Sequence, residues 1–168
     1  HLVISAVPYP VLPFDSLIID TVENYYLTLE HGMRLDSVFT NDGYIMIEIR
    51  SSFRHTGMIT IYSPDLLIDG QVFKKSFYID RNDGTFYGKY FYPLQNAKIL
   101  VNNTPEGEGY LRNFYHLVLY RNPGQGIGID DRVEMLVPDR DGKGLLRRSR
   151  EEVMEKFGVP PEGIVDYL

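Results

Sequence analysis

Apolar and polar residues alternate with a period of two through the first three quarters of this chain, and that pattern limits its fold more than any other feature. Segment 44–50 places Ile45, Ile47 and Ile49 on one side of an extended strand. Segment 72–79 repeats the pattern with aromatic residues on the apolar side. Strands with one buried face are therefore the dominant element of this protein.

Turn sequences separate the alternating segments and suggest how they pair. Asp-Gly readily adopts the positive φ values of a primed turn, so Asn-Asp-Gly at 82–84 predicts a hairpin between 72–79 and 85–92. A second hairpin, with a longer loop, is expected between 44–50 and 57–62.

The remaining extended segments complete the expected fold class. Segment 16–29 fits either a strand or a turn of helix, and its β-branched and tyrosine content favours a strand. Further strands are predicted at 97–101, 110–120 and 132–137. Seven to nine closely spaced strands without βαβ alternation predict a mainly β fold, an antiparallel β-sandwich or barrel.

The end of the chain changes its period and predicts one short C-terminal helix at 149–158. Ser149 and Glu152 fit a capping box, and Gly158 followed by two prolines fits a helix end. The residues Val153, Met154 and Phe157 form an apolar stripe that we expect to pack on the sheet.

Composition sets the domain count and excludes several function classes. One domain over 1–168 is expected, with 1–15 as an extended arm. The net charge of −6 disfavours a nucleic-acid partner, and the absence of cysteine excludes thiol chemistry and cysteine-based metal sites. No apolar run approaches the roughly 20 residues of a membrane helix. Export is expected only if a signal peptide preceded His1, so the compartment stays open.

Neither of two loop motifs has the pattern of the site it resembles. The glycine run at 123–128 has the wrong spacing for a phosphate-binding loop, and a strand rather than a helix follows it. The acidic turn at 139–144 lacks the Glu that ends a calcium loop, since Arg150 stands there. The four histidines lack zinc-binding spacing. We therefore predict no cofactor, no metal and no catalytic residue.

A basic loop in this acidic protein is one candidate ligand site. Arg50, Arg54 and His55 share a loop with two serines, and such a loop can hold a carboxylate or phosphate through charge-assisted hydrogen bonds. The alternative is a solvated loop whose arginines pair with nearby acidic residues.

The aromatic segment 78–92 is the other candidate site. On an exposed surface its rings and its lysine can stack on sugars or fill a protein interface, whereas on an inner face they form core. The ligand-binding residues predicted here are Tyr78, Tyr87, Lys89, Tyr90 and Tyr92. This hypothesis requires at least three of the four tyrosines to be exposed and contiguous.

These patterns favour a non-catalytic binding or assembly module for a protein or glycan partner. One alternative is a hydrolase that joins Asp80 or Asp83 to His55 or His116. Another is a homo-oligomer that assembles through an exposed strand edge.

Overall fold

The computed structural model describes residues 2–27 and 34–136, which form a sandwich of two antiparallel sheets. The predicted mainly β fold is confirmed, and the architecture is the sandwich rather than the barrel. No helix occurs within those two ranges, and the helix predicted at 149–158 lies outside them. The strands are β1 Leu2–Ser5, β2 Ser16–Leu27, β3 Ser37–Thr40, β4 Tyr44–Ser51, β5 Thr56–Ile68, β6 Gln71–Ile79, β7 Phe86–Pro93, β8 Ala97–Leu100, β9 Asn102–Asn103, β10 Gly109–Tyr120 and β11 Arg132–Leu136.

The two sheets differ in size. The smaller has four strands in the order β1-β11-β4-β7. The larger has seven, in the order β2-β10-β5-β8-β3, with β6 paired to β5 and β9 paired to β10. The strand predicted at 16–29 is confirmed over β2, whose twelve residues pair throughout with β10.

The core lies between the sheets and follows the alternation in the sequence. In β6 the inward side chains of Phe73, Phe77 and Ile79 are buried, while Tyr78 points outward. Both sheets contribute to one continuous apolar cluster. Burial of such side chains, worth about 1.5–3 kcal/mol each, stabilises the packing of the two layers.

Both predicted hairpins are wrong, because in each case the chain crosses from one sheet to the other. β4 pairs with β7 and β11, and β5 pairs with β6, β8 and β10. The crossing between β6 and β7 places their inward aromatic rings opposite each other, with the Phe77 and Tyr90 centroids 4.5 Å apart. Pairing within one sheet would put both strands' rings side by side on one face instead.

The hairpin that does form joins β5 to β6 through a different Asp-Gly pair. Asp69 and Gly70 have φ values of 52° and 75°, which fit a primed turn. At 83–84 only the glycine has a positive φ, and the Asp83 carboxylate accepts hydrogen bonds from the backbone N–H and the hydroxyl of Thr85. Those hydrogen bonds hold the pKa of Asp83 below its usual value.

The N-terminal segment lies against the glycine run. Tyr9 and Ile127 exchange backbone hydrogen bonds of 3.0 and 2.8 Å, and the backbone N–H of Leu12 donates to the carbonyl of Gln125. A side chain at Gly126 would collide with the backbone of the N-terminal segment. The glycine therefore serves close packing here. Within the described residues no helix is long and apolar enough to cross a membrane.

Candidate functional site

The four candidate tyrosines do not form one exposed surface. Tyr78 is 69% exposed on β6, whereas Tyr87 lies on β7 in the other sheet. Tyr90 and Tyr92 point into the sandwich, where both pack against Phe77. The condition of three contiguous exposed tyrosines is therefore not met, because the chain crosses between sheets in the middle of the segment.

Tyr92 is a core residue. Its ring makes edge contacts with Phe73 and Phe77 at centroid distances of 5.3 and 6.1 Å, and the ammonium group of Lys75 lies 5.5 Å from its centroid. Phe91, on the opposite side of β7, is also buried. Aromatic residues on both sides of this strand thus serve packing.

Tyr87 and Lys89 lie on the outer face of the four-stranded sheet and contact charged neighbours there. The Tyr87 hydroxyl donates to Glu48, and Lys89 lies 3.9 Å from the same carboxylate. Arg50 sits 5.3 Å above the Tyr87 ring. Burial raises the pKa of Tyr87, and the Glu48 carboxylate raises it further. These side chains mainly satisfy one another.

The basic loop does not gather its cations at one point either. Arg54 is exposed, whereas His55 is fully buried. His55 Nδ1 accepts a hydrogen bond from the backbone N–H of Asn122, and its Nε2 is 3.0 Å from the Gly126 carbonyl. Because a backbone N–H can only donate, His55 is the neutral tautomer with its proton on Nε2. Its role is to join two loops.

The structure instead brings together outward residues of four strands in the seven-stranded sheet. Register aligns Asp20 of β2, His116 of β10, Thr60 of β5 and Ser76 of β6 across the sheet, and we call this set the polar row. His116 Nδ1 bonds to the Asp20 carboxylate, and the Thr60 and Ser76 hydroxyls are 2.8 Å apart.

Apolar and aromatic residues make up the rows on either side of the polar row, except that Lys74 of β6 ends one of them. On one side lies the Tyr62 row, where the Tyr62 and Phe114 rings are 5.9 Å apart and tilted by 41°. On the other side lies the Tyr78 row. The Tyr62 row comprises Val22, Phe114, Tyr62 and Lys74, and the Tyr78 row comprises Ile18, Val118, Met58 and Tyr78.

The polar row and the Tyr62 row line an open groove of about 860 Å³, which we call the outer groove. That volume falls within the range of roughly 300–1,000 Å³ typical of ligand sites. The exposed fractions of Val22, Tyr62 and Phe114 are 57%, 39% and 37%. Contiguous exposed apolar surface of this kind marks interaction sites more often than chance.

A buried carboxylate positions an arginine one row beyond Tyr62 and Phe114. Arg112 of β10 donates from Nη2 and Nε to Asp65 at 2.7 and 3.1 Å, and its backbone N–H donates to the same group. Asn102 also donates to Asp65. Burial alone would raise the pKa of Asp65, but these hydrogen bonds and the Arg112 charge hold it below its usual value.

Sequence reasoning missed the outer groove as a site. It named Tyr78, which lies beside the groove, and His116, which lines it but was placed with Asp80 or Asp83 in the hydrolase alternative. The available signal was that Ile18, Val22, Tyr62 and Phe114 are apolar at strand positions that should face solvent. The order of the strands in the sheet was not available from that pattern, so the four positions could not be recognised as neighbours.

The acid and histidine pairing expected of a hydrolase has different members in the structure. His116 bonds to Asp20 rather than to Asp80 or Asp83, and His55 is buried. The outer groove does hold an acid, an imidazole and hydroxyl groups. Its central strands β5 and β10 are paired on both sides, so their backbone N–H groups are not free to stabilise an oxyanion.

Among the described residues, no cluster of three or more carboxylate or histidine side chains is arranged to hold a metal ion. The acidic turn at 139–144 lies outside those residues.

Comparisons with known proteins leave the family open. No protein-family model matches this chain, and no curated protein matches it. A chain from the structure of infectious bursal disease virus, Gx strain, is similar over 89% of this chain and 51% of that chain, at 11% identity. This chain thus spans about half the length of that one. The TM-score of 0.15 is too low to support an argument about fold or function.

Proposed function

We propose that this protein is a glycan-binding module and that its ligand lies in the outer groove. The observation that carries the proposal is the alternation of rows on the outer face, where the polar row runs between two apolar rows. Sheet geometry spaces neighbouring strands about 4.8 Å apart and successive same-face rows about 6.8 Å apart. The face therefore offers rings and hydrogen-bonding groups within the dimensions of a short oligosaccharide.

The chemistry of a sugar ring matches this alternation. A pyranose presents C–H bonds on its faces and hydroxyl groups around its edge. The Tyr62 and Phe114 rings supply an apolar surface for a sugar face. Asp20, His116 and Thr60 supply hydrogen-bonding groups for the hydroxyls.

A protein partner fits the same face less well. The centre of a protein interface is depleted of charged residues, which gather at its rim. Here the hydrogen-bonded Asp20 and His116 pair lies between the two apolar rows. A partner protein would have to desolvate that pair, whereas sugar hydroxyls can bond to it.

Titration of the full chain with neutral and uronic-acid hexasaccharides, followed by amide NMR shifts, tests the proposal. We expect shifts clustered on β2, β5, β6 and β10. Phe114→Ala should weaken binding at least tenfold, because about 1.4 kcal/mol of stacking is lost. Tyr87→Ala is the matched control, an exposed aromatic residue on the other sheet. Equal losses in both variants, or no binding of any hexasaccharide, would refute the proposal.

A second candidate function, self-assembly, is favoured by the edge strand β2. Among the described residues β2 pairs with β10 on one side and with no strand on the other, which is the arrangement that a second copy could extend by strand pairing. Sedimentation velocity over a wide concentration range should then show a dimer that Ile18→Lys dissociates. A monomer at every concentration would eliminate this candidate.

A further inference from the structure

One end of the outer groove is cationic although the protein carries a net charge of −6. Lys74 of β6 and Arg112 of β10 lie on the two strands that flank Tyr62 of β5. Resting on the proposed function, we propose that the bound glycan is acidic and that Arg112 and Lys74 bind a sugar carboxylate at the Tyr62 end of the groove.

Arg112 is held in a fixed orientation. Asp65 accepts two of the five N–H donors of a guanidinium group, which leaves three for a ligand. The Arg112 side chain is 44% exposed, while that of Asp65 is 4% exposed. A guanidinium group that is oriented before binding loses less conformational freedom when it binds a carboxylate.

Asp65 has little access to a ligand itself. It lies where the pairing of β5 with β6 shifts register, between Ser63 and Leu67, and it is buried. Its hydrogen bonds from Asn102 and from the backbone of Arg112 fix the carboxylate from two further directions. The buried acid thus positions the exposed arginine.

Lys74 supplies the positive charge that remains at this end of the groove. Asp65 offsets the charge of Arg112, but no ion pair in the described part of the chain involves Lys74. Lys74 is exposed, lines the groove and is the cross-strand neighbour of Tyr62. A sugar stacked on Tyr62 therefore lies about one strand spacing, 4.8 Å, from the position of Lys74, and Arg112 follows one row further along the neighbouring strand β10.

The acidic residue of the groove lies away from this end. Asp20 belongs to β2, two strands from β5, and it bonds to His116 in the polar row. Charge thus differs along the groove, with the cations in or beyond the Tyr62 row. An acidic sugar would bind in one orientation, with its carboxylate at the Arg112 end.

The test compares uronic-acid hexasaccharides with their methyl esters, which keep the skeleton and lose the charge. Galacturonate, mannuronate and glucuronate series are titrated into the full chain, and inorganic phosphate serves as an anion without a sugar. We expect at least one acid form to bind ten or more times more tightly than its ester, with shifts at Tyr62 and Arg112. Phosphate alone should bind far more weakly.

Three variants test which cations cause the preference for the acid form over the methyl ester. Lys74→Met leaves every Asp65 hydrogen bond in place and should reduce the acid-to-ester affinity ratio several-fold. Arg112→Lys keeps a positive charge beside Asp65 but loses the paired N–H donors of the guanidinium group, so the ratio should fall about tenfold. Lys98→Met, which replaces a half-buried lysine above Phe39 elsewhere on the same sheet, should leave the ratio unchanged. Thermal melts confirm that each variant is folded.

The outcomes separate this inference from the proposed function. Equal binding of acid and ester, or binding of neutral sugars alone, overturns the acidic preference and leaves the glycan-binding module standing. Phosphate binding as tight as that of any acid form also overturns it. Absence of binding by every saccharide removes both proposals.

Discussion

The outer faces of the two sheets have similar residue types and opposite character. On the four-stranded sheet, Glu48 lies among Tyr87 and Lys89, and Arg50 covers the Tyr87 ring. On the seven-stranded sheet, the Tyr62 and Phe114 rings lie open beside the polar row. The first face largely satisfies its own charges and rings, whereas the second leaves apolar surface and a cation available to a ligand.

Cross-strand neighbours cause this difference. Opposite charges in register attract each other and remove their hydrogen-bonding capacity from solvent. Glu48 and Lys89 are direct partners in the pairing of β4 with β7. In the larger sheet Lys74 faces Tyr62 instead of an acid. The same side-chain types therefore become structural in one place and available in the other.

The largest difference in the free energy of unfolding is expected between two variants that each replace a cation, one on each outer face. Arg112→Met leaves the Asp65 carboxylate buried without its partner, so we expect a loss of about 3 kcal/mol in the free energy of unfolding. Lys89→Met removes a partly exposed cation 3.9 Å from Glu48. That change should cost less than about 1 kcal/mol. Urea denaturation measures both, and similar losses would contradict the distinction.

The pH dependence of the free energy of unfolding should show the contribution of the Asp65 carboxylate. The folded pKa of Asp65 lies below its ordinary value of 3.8, so its ionised form stabilises the native state at higher pH. That contribution is complete above about pH 5 and is lost as the pH falls through 3.8 and then through the lower folded value. Asp65→Asn should flatten the profile in this window. An unchanged profile would show that Asp65 does not contribute.

A smaller effect is expected at Glu48 on the other face. Glu48→Gln removes the carboxylate that raises the pKa of Tyr87, so that pKa should fall toward 10.0. Burial should keep it above that value. Ring-carbon NMR shifts of Tyr87 followed against pH give the midpoint. A midpoint that does not move would mean that Glu48 and Tyr87 are not coupled.

The smallest effect on stability is expected at Tyr78. Its ring is mostly exposed, so Tyr78→Ser should change the free energy of unfolding by no more than about 0.5 kcal/mol. Tyr92→Ser at a core position should cost about 3 kcal/mol. Comparable losses in the two variants would place Tyr78 in a packed environment and remove it from the outer face.

Sequence patterns predicted individual strands well and their pairing poorly. In β6 the alternation correctly separated buried Phe77 from exposed Tyr78. The turn chemistry of Asp-Gly was also sound, but it applied at 69–70 rather than at 83–84. Strand formation depends on local periodicity, whereas pairing depends on which inward faces can be buried together.

The candidate site residues show the same contrast between local patterns, which the sequence predicts, and long-range contacts, which it does not. Tyr78 was found from its sequence position, but Tyr90 and Tyr92 are turned inward by the crossing between sheets. His55 was grouped with two arginines, and its buried ring bonds to loop residues 122 and 126, far along the chain. No local pattern contains those partners.

The β class and the apolar face of β4 and β6 follow from the amino-acid sequence alone, because a strand's side chains alternate regardless of its neighbours. The row of Asp20, His116, Thr60 and Ser76 is a product of tertiary structure, since it joins four strands through register. So is the orientation of Arg112 by Asp65, which lies 47 residues away along the chain. A surface made by pairing distant strands exists only once their order in the sheet is set.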